Sequence, residues 1–172
     1  EVARDRPAFD DRGGVMFVGG FQHPPNIDAV EYYANEIWPL LTKLCPDLET
    51  YIIGSRMPDR LKKFGESKGL TMLGFVEDLA PYYEGCVLAV APLRYGAGVK
   101  GKVNQALSFG IPVVGSSIAL EGMDLSDRKE VMEASEPECF AEAMIEVYHD
   151  PELWMTLSAN GAASLEGRFT TK

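Results

Sequence analysis

The chain has 172 residues, 46% hydrophobic and 24% charged, with a formal net charge of −10. This size and composition suit one globular domain with a filled core, and the negative balance argues against nucleic acid or an anionic membrane surface as a partner. No apolar run approaches the ~18 residues of a membrane span, and the opening stretch EVARDRPAFDDRGG lacks the apolar centre of a secretion signal.

Residues 1–13 read as a linker, and a domain follows over 14–172. GVMFVGG (14–20) is an apolar strand ending in glycines. From Asn26 to Leu44 the apolar residues Val30, Tyr33, Ala34, Ile37, Leu41 and Leu44 recur at helical spacing, with Asn26 as expected N-cap after Pro24 and Pro25. ETYIIGS is a second strand, PDRLKKFGES a short helix and LTMLGF a third strand. VEDLAPYYEG is a short helix with Asp78 near its start as a cap, and CVLAVAPL is a fourth strand. A helix from about Lys100 to Phe109 leads to the strand IPVVGSS. EVMEAS is a candidate sixth strand, and PECFAEAMIEVYHD and PELWMTLSANGAASLEGRF are closing helices.

The alternation of continuously apolar strands with helices predicts an α/β fold: a doubly wound parallel sheet of about six strands, with Rossmann-like or flavodoxin-like order. Cys45, Cys86 and Cys139 are scattered and lack metal-ligand spacing, which fits a reduced, cytoplasmic chain.

In such folds ligands bind at the carboxyl ends of the strands. Gly19, Gly20, Gln22 and His23 follow the first strand, Gly54, Ser55 and Arg56 the second, and Phe75 and Val76 the third. Arg94, Gly96 and Gly98 follow the fourth, with Lys100 and Lys102 just beyond. Lysines at a helix N-terminus are disfavoured by the helix dipole. A bound phosphate there would meet free backbone N–H groups and reverse the penalty. Alternatives stand beside this reading. The glycines also suit tight turns, the lysines also suit a solvated surface, and His23 also suits an ordinary loop position. No catalytic triad, Walker loop, G-x-G-x-x-G fingerprint or metal cluster is visible in the sequence.

The stretches FVGGFQHPPNIDAVEYYANEIWPLL, YIIGS, LGFVEDLAPYYEGCVLAVAPLRYGAGVKGKVNQALSFGIPVVGSS and ALEGM resemble the carboxyl-terminal, donor-binding domain of GT-B fold, family 4 (group 1) retaining glycosyltransferases. The resemblance runs from Gly14 to the last helix. It implies a hexosyltransferase-type enzyme whose two Rossmann-like halves flank an active-site cleft. This half would bind a nucleoside-diphosphate sugar (UDP, GDP or ADP type), without a metal or other cofactor. The acceptor sugar or lipid-linked glycan would sit on an amino-terminal half outside this sequence. Gly54 and Val76 would then border the base, with Gly19 and Gly20 near the diphosphate, and Ser55, Gly98 and Gln105 would be further donor-binding residues. Arg94, Lys100 and Lys102 would neutralise the leaving group. Many members carry Glu, seven residues, Glu in this region, where the second Glu contacts the ribose; here that position is Gln105 and the first carboxylate is missing. This leaves as an alternative a non-catalytic nucleotide-binding or interaction domain. The length implies a fragment that transfers no sugar by itself.

Overall fold

The computed structural model describes residues 6–96 and 100–169. Six strands form one all-parallel sheet: β1 (Val15–Val18), β2 (Thr50–Ile53), β3 (Leu70–Gly74), β4 (Leu88–Ala91), β5 (Val113–Gly115) and β6 (Met132–Glu133), in the order β3-β2-β1-β4-β5-β6. Of the two orders that the alternation allowed, this is the Rossmann one. The chain winds outward from β1 to β3, then returns to place β4 on the other side of β1. Val15 pairs with both Thr50 and Leu88. The crevice opens where the winding reverses, beyond the carboxyl ends of β1 and β4. Met16, Ile52, Leu88 and Val114 are almost wholly buried, which is why these strands carry so few polar residues.

Helical segments cover both faces: α1 (Pro24–Tyr32), α2 (Trp38–Leu44), α3 (Asp59–Lys62), α4 (Ala80–Gly85), α5 (Lys100–Ser108), α6 (Ser117–Leu120), α7 (Pro137–His149) and α8 (Pro151–Phe169). The expected helix over Asn26–Leu44 is longer at its start and interrupted. It begins at Pro24, and a π turn, Tyr33–Ile37, joins α1 to α2. Pro39 lies at the beginning of α2. It lacks an N–H, and its ring collides with the carbonyl four residues earlier in a regular helix. A widened turn just before it is the expected accommodation. Val30, Tyr33, Ile37 and Leu41 face the core as the spacing requires, while Leu44 is exposed. Asn26 is not the N-cap. His23 occupies that position, and the amide of Asn26 turns back to donate to the Gly20 carbonyl at 2.8 Å.

Phe9–Asp11 form a 3₁₀ turn ahead of β1. The buried guanidinium of Arg12 donates to the carbonyls of Pro7, Tyr83 and Cys86 at 2.9–3.1 Å and sits 4.9 Å from the Trp154 ring. Trp154 in turn donates Nε1–H to the Val87 carbonyl at 2.7 Å. These contacts hold the residues before β1 against the start of β4 and α8. Behind the crevice α8 packs closely on α5: a Cβ on Gly161 would lie 2.8 Å from Leu107. The position of α5 is thereby set from its far side.

Candidate functional site

Beyond the ends of β1, β2 and β3 lies a cleft of about 320 Å³. Its floor is backbone. Gly19 N–H donates to the Ile53 carbonyl at 3.0 Å, Phe21 N–H to the Ser55 carbonyl at 3.0 Å, and Gly54 N–H to the Gly74 carbonyl at 2.8 Å. The ladder thus continues past the strands as glycine-rich loops. A Cβ on Gly54 would overlap the Gly19 carbonyl oxygen, and one on Gly19 would stand 2.8 Å from the Asn26 side chain. These two positions are glycine because main chain and side chain crowd against them, not because of turn geometry.

Of the residues expected at a donor site, Gly19, Gly20, Gly54, Ser55, Val76 and Lys102 line this one cleft. They come from the loops after β1, β2 and β3 and from α5. Lys102 stands in the first turn of α5 and also borders a small apolar cavity with Phe17, Ala91 and Val103. That arrangement suits a lysine that buries its methylenes and presents its ammonium. Gly98 and the side chain of Lys100 lie outside the described residues. Gln105 is exposed, a turn beyond Lys102, and does not line the cleft.

Arg94 is engaged elsewhere. Its Nε and Nη2 donate to the two carboxylate oxygens of Asp28 at 3.0 and 2.5 Å, Nη1 reaches Glu36 at 3.4 Å, and the guanidinium lies 4.7 Å from the Tyr32 ring. Its hydrogen bonding to the Asp28 carboxylate is the main reason its pKa is raised. Among three cations within nine residues, the structure gives a clear cleft position to Lys102 and a carboxylate partner to Arg94.

Phe75, Leu79, Gln22 and Asn26 also line the cleft, and the sequence pointed to none of them as a donor contact. Phe75 is the notable one, an aromatic left 73% exposed at the rim beside Val76. Its signal in the sequence is a large apolar residue placed after the strand has ended. His23, weighed there as a loop residue, also lines the cleft. Asp78, expected as the cap of α4, lies one residue before the N-cap position, which Leu79 occupies, and accepts the Ala80 N–H at 3.0 Å. Among the described residues no group of three or more His, Cys, Asp or Glu side chains stands together in a metal-binding arrangement, and no helix is long and apolar enough to cross a membrane.

The fold and the cleft define a doubly wound α/β domain whose ligand site sits where the strand order reverses. Residues 12–150 match the family described as "Glycosyl transferases group 1", and the chain belongs to that family. A curated relative, the "Uncharacterized 44.6 kDa protein in cps region" of Klebsiella pneumoniae, is 26% identical over 166 residues, covering 92% of this chain and 43% of the relative. The chain therefore spans less than half of that protein. TarM from S. aureus, solved with Fondaparinux, alpha-GlcNAc-glycerol and UDP, superposes with a TM-score of 0.80 at 15% identity, over 99% of this chain and 35% of TarM. The C-terminal domain of LpcC, a glycosyl transferase group 1 family protein from Francisella tularensis, superposes with a TM-score of 0.71 at 14% identity, over 95% of this chain and 90% of that domain. HepE from Anabaena, in complex with UDP and glucose, gives 0.73 at 15% identity, over 93% of this chain and 45% of HepE. The fold is the Rossmann-like type of the GT-B carboxyl-terminal domain.

Proposed function

We propose that this chain is the donor-binding half of a retaining, hexosyltransferase-type group 1 glycosyltransferase. In this reading it holds a nucleoside-diphosphate sugar in the cleft beyond β1–β3, in the cytoplasm. One observation carries the reading: Gly19, Gly20, Gly54, Ser55, Val76 and Lys102 converge on a single cleft from three separate loops and helix α5. The base would lie between the Gly54–Ser55 backbone and Val76. The diphosphate would lie over Gly19 and Gly20, near Lys102. As the bond from sugar to diphosphate breaks, negative charge grows on the leaving phosphate. The Lys102 ammonium would stabilise that charge from a fixed position, with Lys100 as a second candidate cation, so that protein cations do this work without a metal. The relatives solved with UDP make a uridine diphosphate sugar the first donor to test. The acceptor, a sugar or lipid-linked glycan, would bind an amino-terminal half of the longer protein.

Calorimetric titration with UDP, GDP and ADP tests this. One of the three should bind, and Lys102→Met should weaken it about tenfold, as expected for loss of one charge-assisted contact. Absence of binding by all three removes the donor reading. A second reading, a nucleotide-binding domain without transfer activity, rests on Gln105, where an uncharged side chain stands at the position that resembles the family's second glutamate. Full-length protein that binds nucleotide sugar but neither transfers nor hydrolyses it would favour this second reading. Release of free nucleoside diphosphate on addition of acceptor would exclude it.

A further inference from the structure

The exit from β4 is tied down at successive residues. The Leu93 carbonyl accepts the Ser116 hydroxyl at 2.6 Å. Arg94 grips Asp28 with two parallel hydrogen bonds, reaches Glu36 in the π turn and lies over Tyr32. Tyr32 is itself held by donating to the Ser135 carbonyl at 2.8 Å. Gly96, at φ +86°, sits so close to Pro25 that a Cβ would collide with its ring. Pro25, Asp28 and Tyr32 all belong to α1, and the same helix carries Asn26, whose amide holds the Gly20 carbonyl on the cleft floor. One short helix therefore grips both the loop after β1 and the loop after β4.

The charge count gives Arg94 a different role from Lys102. Each of its three guanidinium nitrogens donates to a carboxylate oxygen, and two carboxylates surround one guanidinium. The cluster carries no surplus positive charge to offer a diphosphate. A planar fork matched to a carboxylate fixes direction as well as distance, which a lysine at that position does not. We propose that Arg94 is a positioning residue: Asp28, Glu36 and Tyr32 clamp it to α1, and through this clamp α1 sets the spacing between the Gly19–Gly20 loop and the β4 exit at Arg94–Gly96. The proposal rests on the donor reading above for its effect on nucleotide binding, but not for the mechanical link itself.

Two roles for Arg94 predict opposite signs for one substitution. If Asp28 merely competes with a phosphate for Arg94, then Asp28→Asn frees the guanidinium and tightens UDP binding. If Asp28 positions, Asp28→Asn weakens it. Calorimetry of the full chain with UDP, repeated across a range of NaCl concentrations, reads this directly. The clamp predicts a loss of about three- to tenfold for Asp28→Asn and for Arg94→Met, the size of a coupled contact pair. It predicts a double variant no weaker than the worse single one. Arg94→Lys should fail to restore affinity. Lys102→Met should flatten the dependence of affinity on salt, whereas Arg94→Met should leave that slope unchanged. Tighter or unchanged binding in Asp28→Asn, or a salt slope lowered equally by Arg94→Met and Lys102→Met, overturns the proposal.

Failure of wild-type chain to bind UDP, GDP or ADP would count against the donor reading alone, and the link is then judged by amide hydrogen exchange. Phe21 N–H, bonded to the Ser55 carbonyl, and Asn26 N–H, bonded to the His23 carbonyl, lie at the cleft side of α1. Arg94→Met should speed exchange at both. Faster exchange confined to residues touching Arg94 would show that the contact is local and overturn the proposal.

Discussion

A Cβ on Gly54 would overlap the Gly19 carbonyl oxygen and stand 2.7 Å from the Phe21 ring, whereas one on Gly20 would press only on the end of the Gln22 side chain, at 2.9 Å. The first obstacle is main chain joined into the sheet ladder, and the second is a side chain free to rotate. Gly54→Ala should therefore cost about 3 kcal/mol or more, as overpacking against fixed backbone does, and Gly20→Ala less than about 1 kcal/mol. Urea unfolding midpoints of the two variants check the contrast, and equal costs would mean that the β1 and β2 loops yield more easily than their hydrogen bonds indicate. The sequence shows both glycines at strand ends but has no means of ranking them, because the rank depends on what crosses above each one. The three cations after β4 behave alike in this respect. Their spacing announces an anion site, yet only the placement of Asp28 and Glu36 separates Arg94 from Lys102.

Elements with strong periodicity or continuous apolar runs were legible. β1 to β5, α7 and α8 fall where composition puts them, because burial on both faces leaves few choices for a parallel strand. What escaped was local and mediated by polar atoms. The π turn before Pro39 keeps Tyr33 and Ile37 buried on the apolar side, and a periodicity count does not distinguish it from an unbroken helix. The short α6 was missed because four residues carry no period. Its start is set by Ser116, whose hydroxyl oxygen accepts the Ala119 N–H at 3.2 Å while its hydrogen goes to the Leu93 carbonyl at 2.6 Å. One hydroxyl thus caps a helix and anchors the β4 exit. Ser116→Ala removes both bonds, one of them to the carbonyl of the buried Leu93, so it should cost about 2 kcal/mol, more than the ~1 kcal/mol of a simple cap. Asp150→Ala supplies the reference. Its carboxylate accepts the Glu152 and Leu153 N–H groups at 3.1 Å in an exposed setting, and its loss should cost about 1 kcal/mol. Chemical denaturation of both variants should place Ser116→Ala as the less stable, and the reverse order would assign the Leu93 contact no energetic weight.

At the scale of the molecule, three of the described residues sealed in the core, Cys86, Tyr83 and Tyr33, are weak acids that burial keeps protonated. The Cys86 thiol is pushed from its ordinary value of 9.0 up to about 12, mainly by desolvation and slightly opposed by the nearby Arg12 charge. The Tyr83 hydroxyl is pushed from 10.0 to about 12 by burial. The Tyr33 hydroxyl, fully buried and paired with Thr50 at 2.7 Å, is pushed up further. Below pH 9 folded and unfolded chains both hold the Cys86 proton, so its full contribution is present. Between about pH 9 and 12 the unfolded chain releases that proton and the folded chain keeps it, so stability falls as pH rises, by at most about 1.4 kcal/mol per pH unit for one group. The two tyrosines add losses of the same sign from about pH 10. Because Cys86 acts alone in the first part of this range, Cys86→Ala should flatten the decline between pH 9 and 10 while leaving the steeper loss above pH 10 in place. Urea midpoints measured at half-unit steps from pH 8 to 11 separate the two segments. An unchanged slope between pH 9 and 10 would mean that the thiol reaches solvent in the folded chain, and with it that the seal formed by Arg12, Trp154 and the start of β4 opens on the timescale of the measurement.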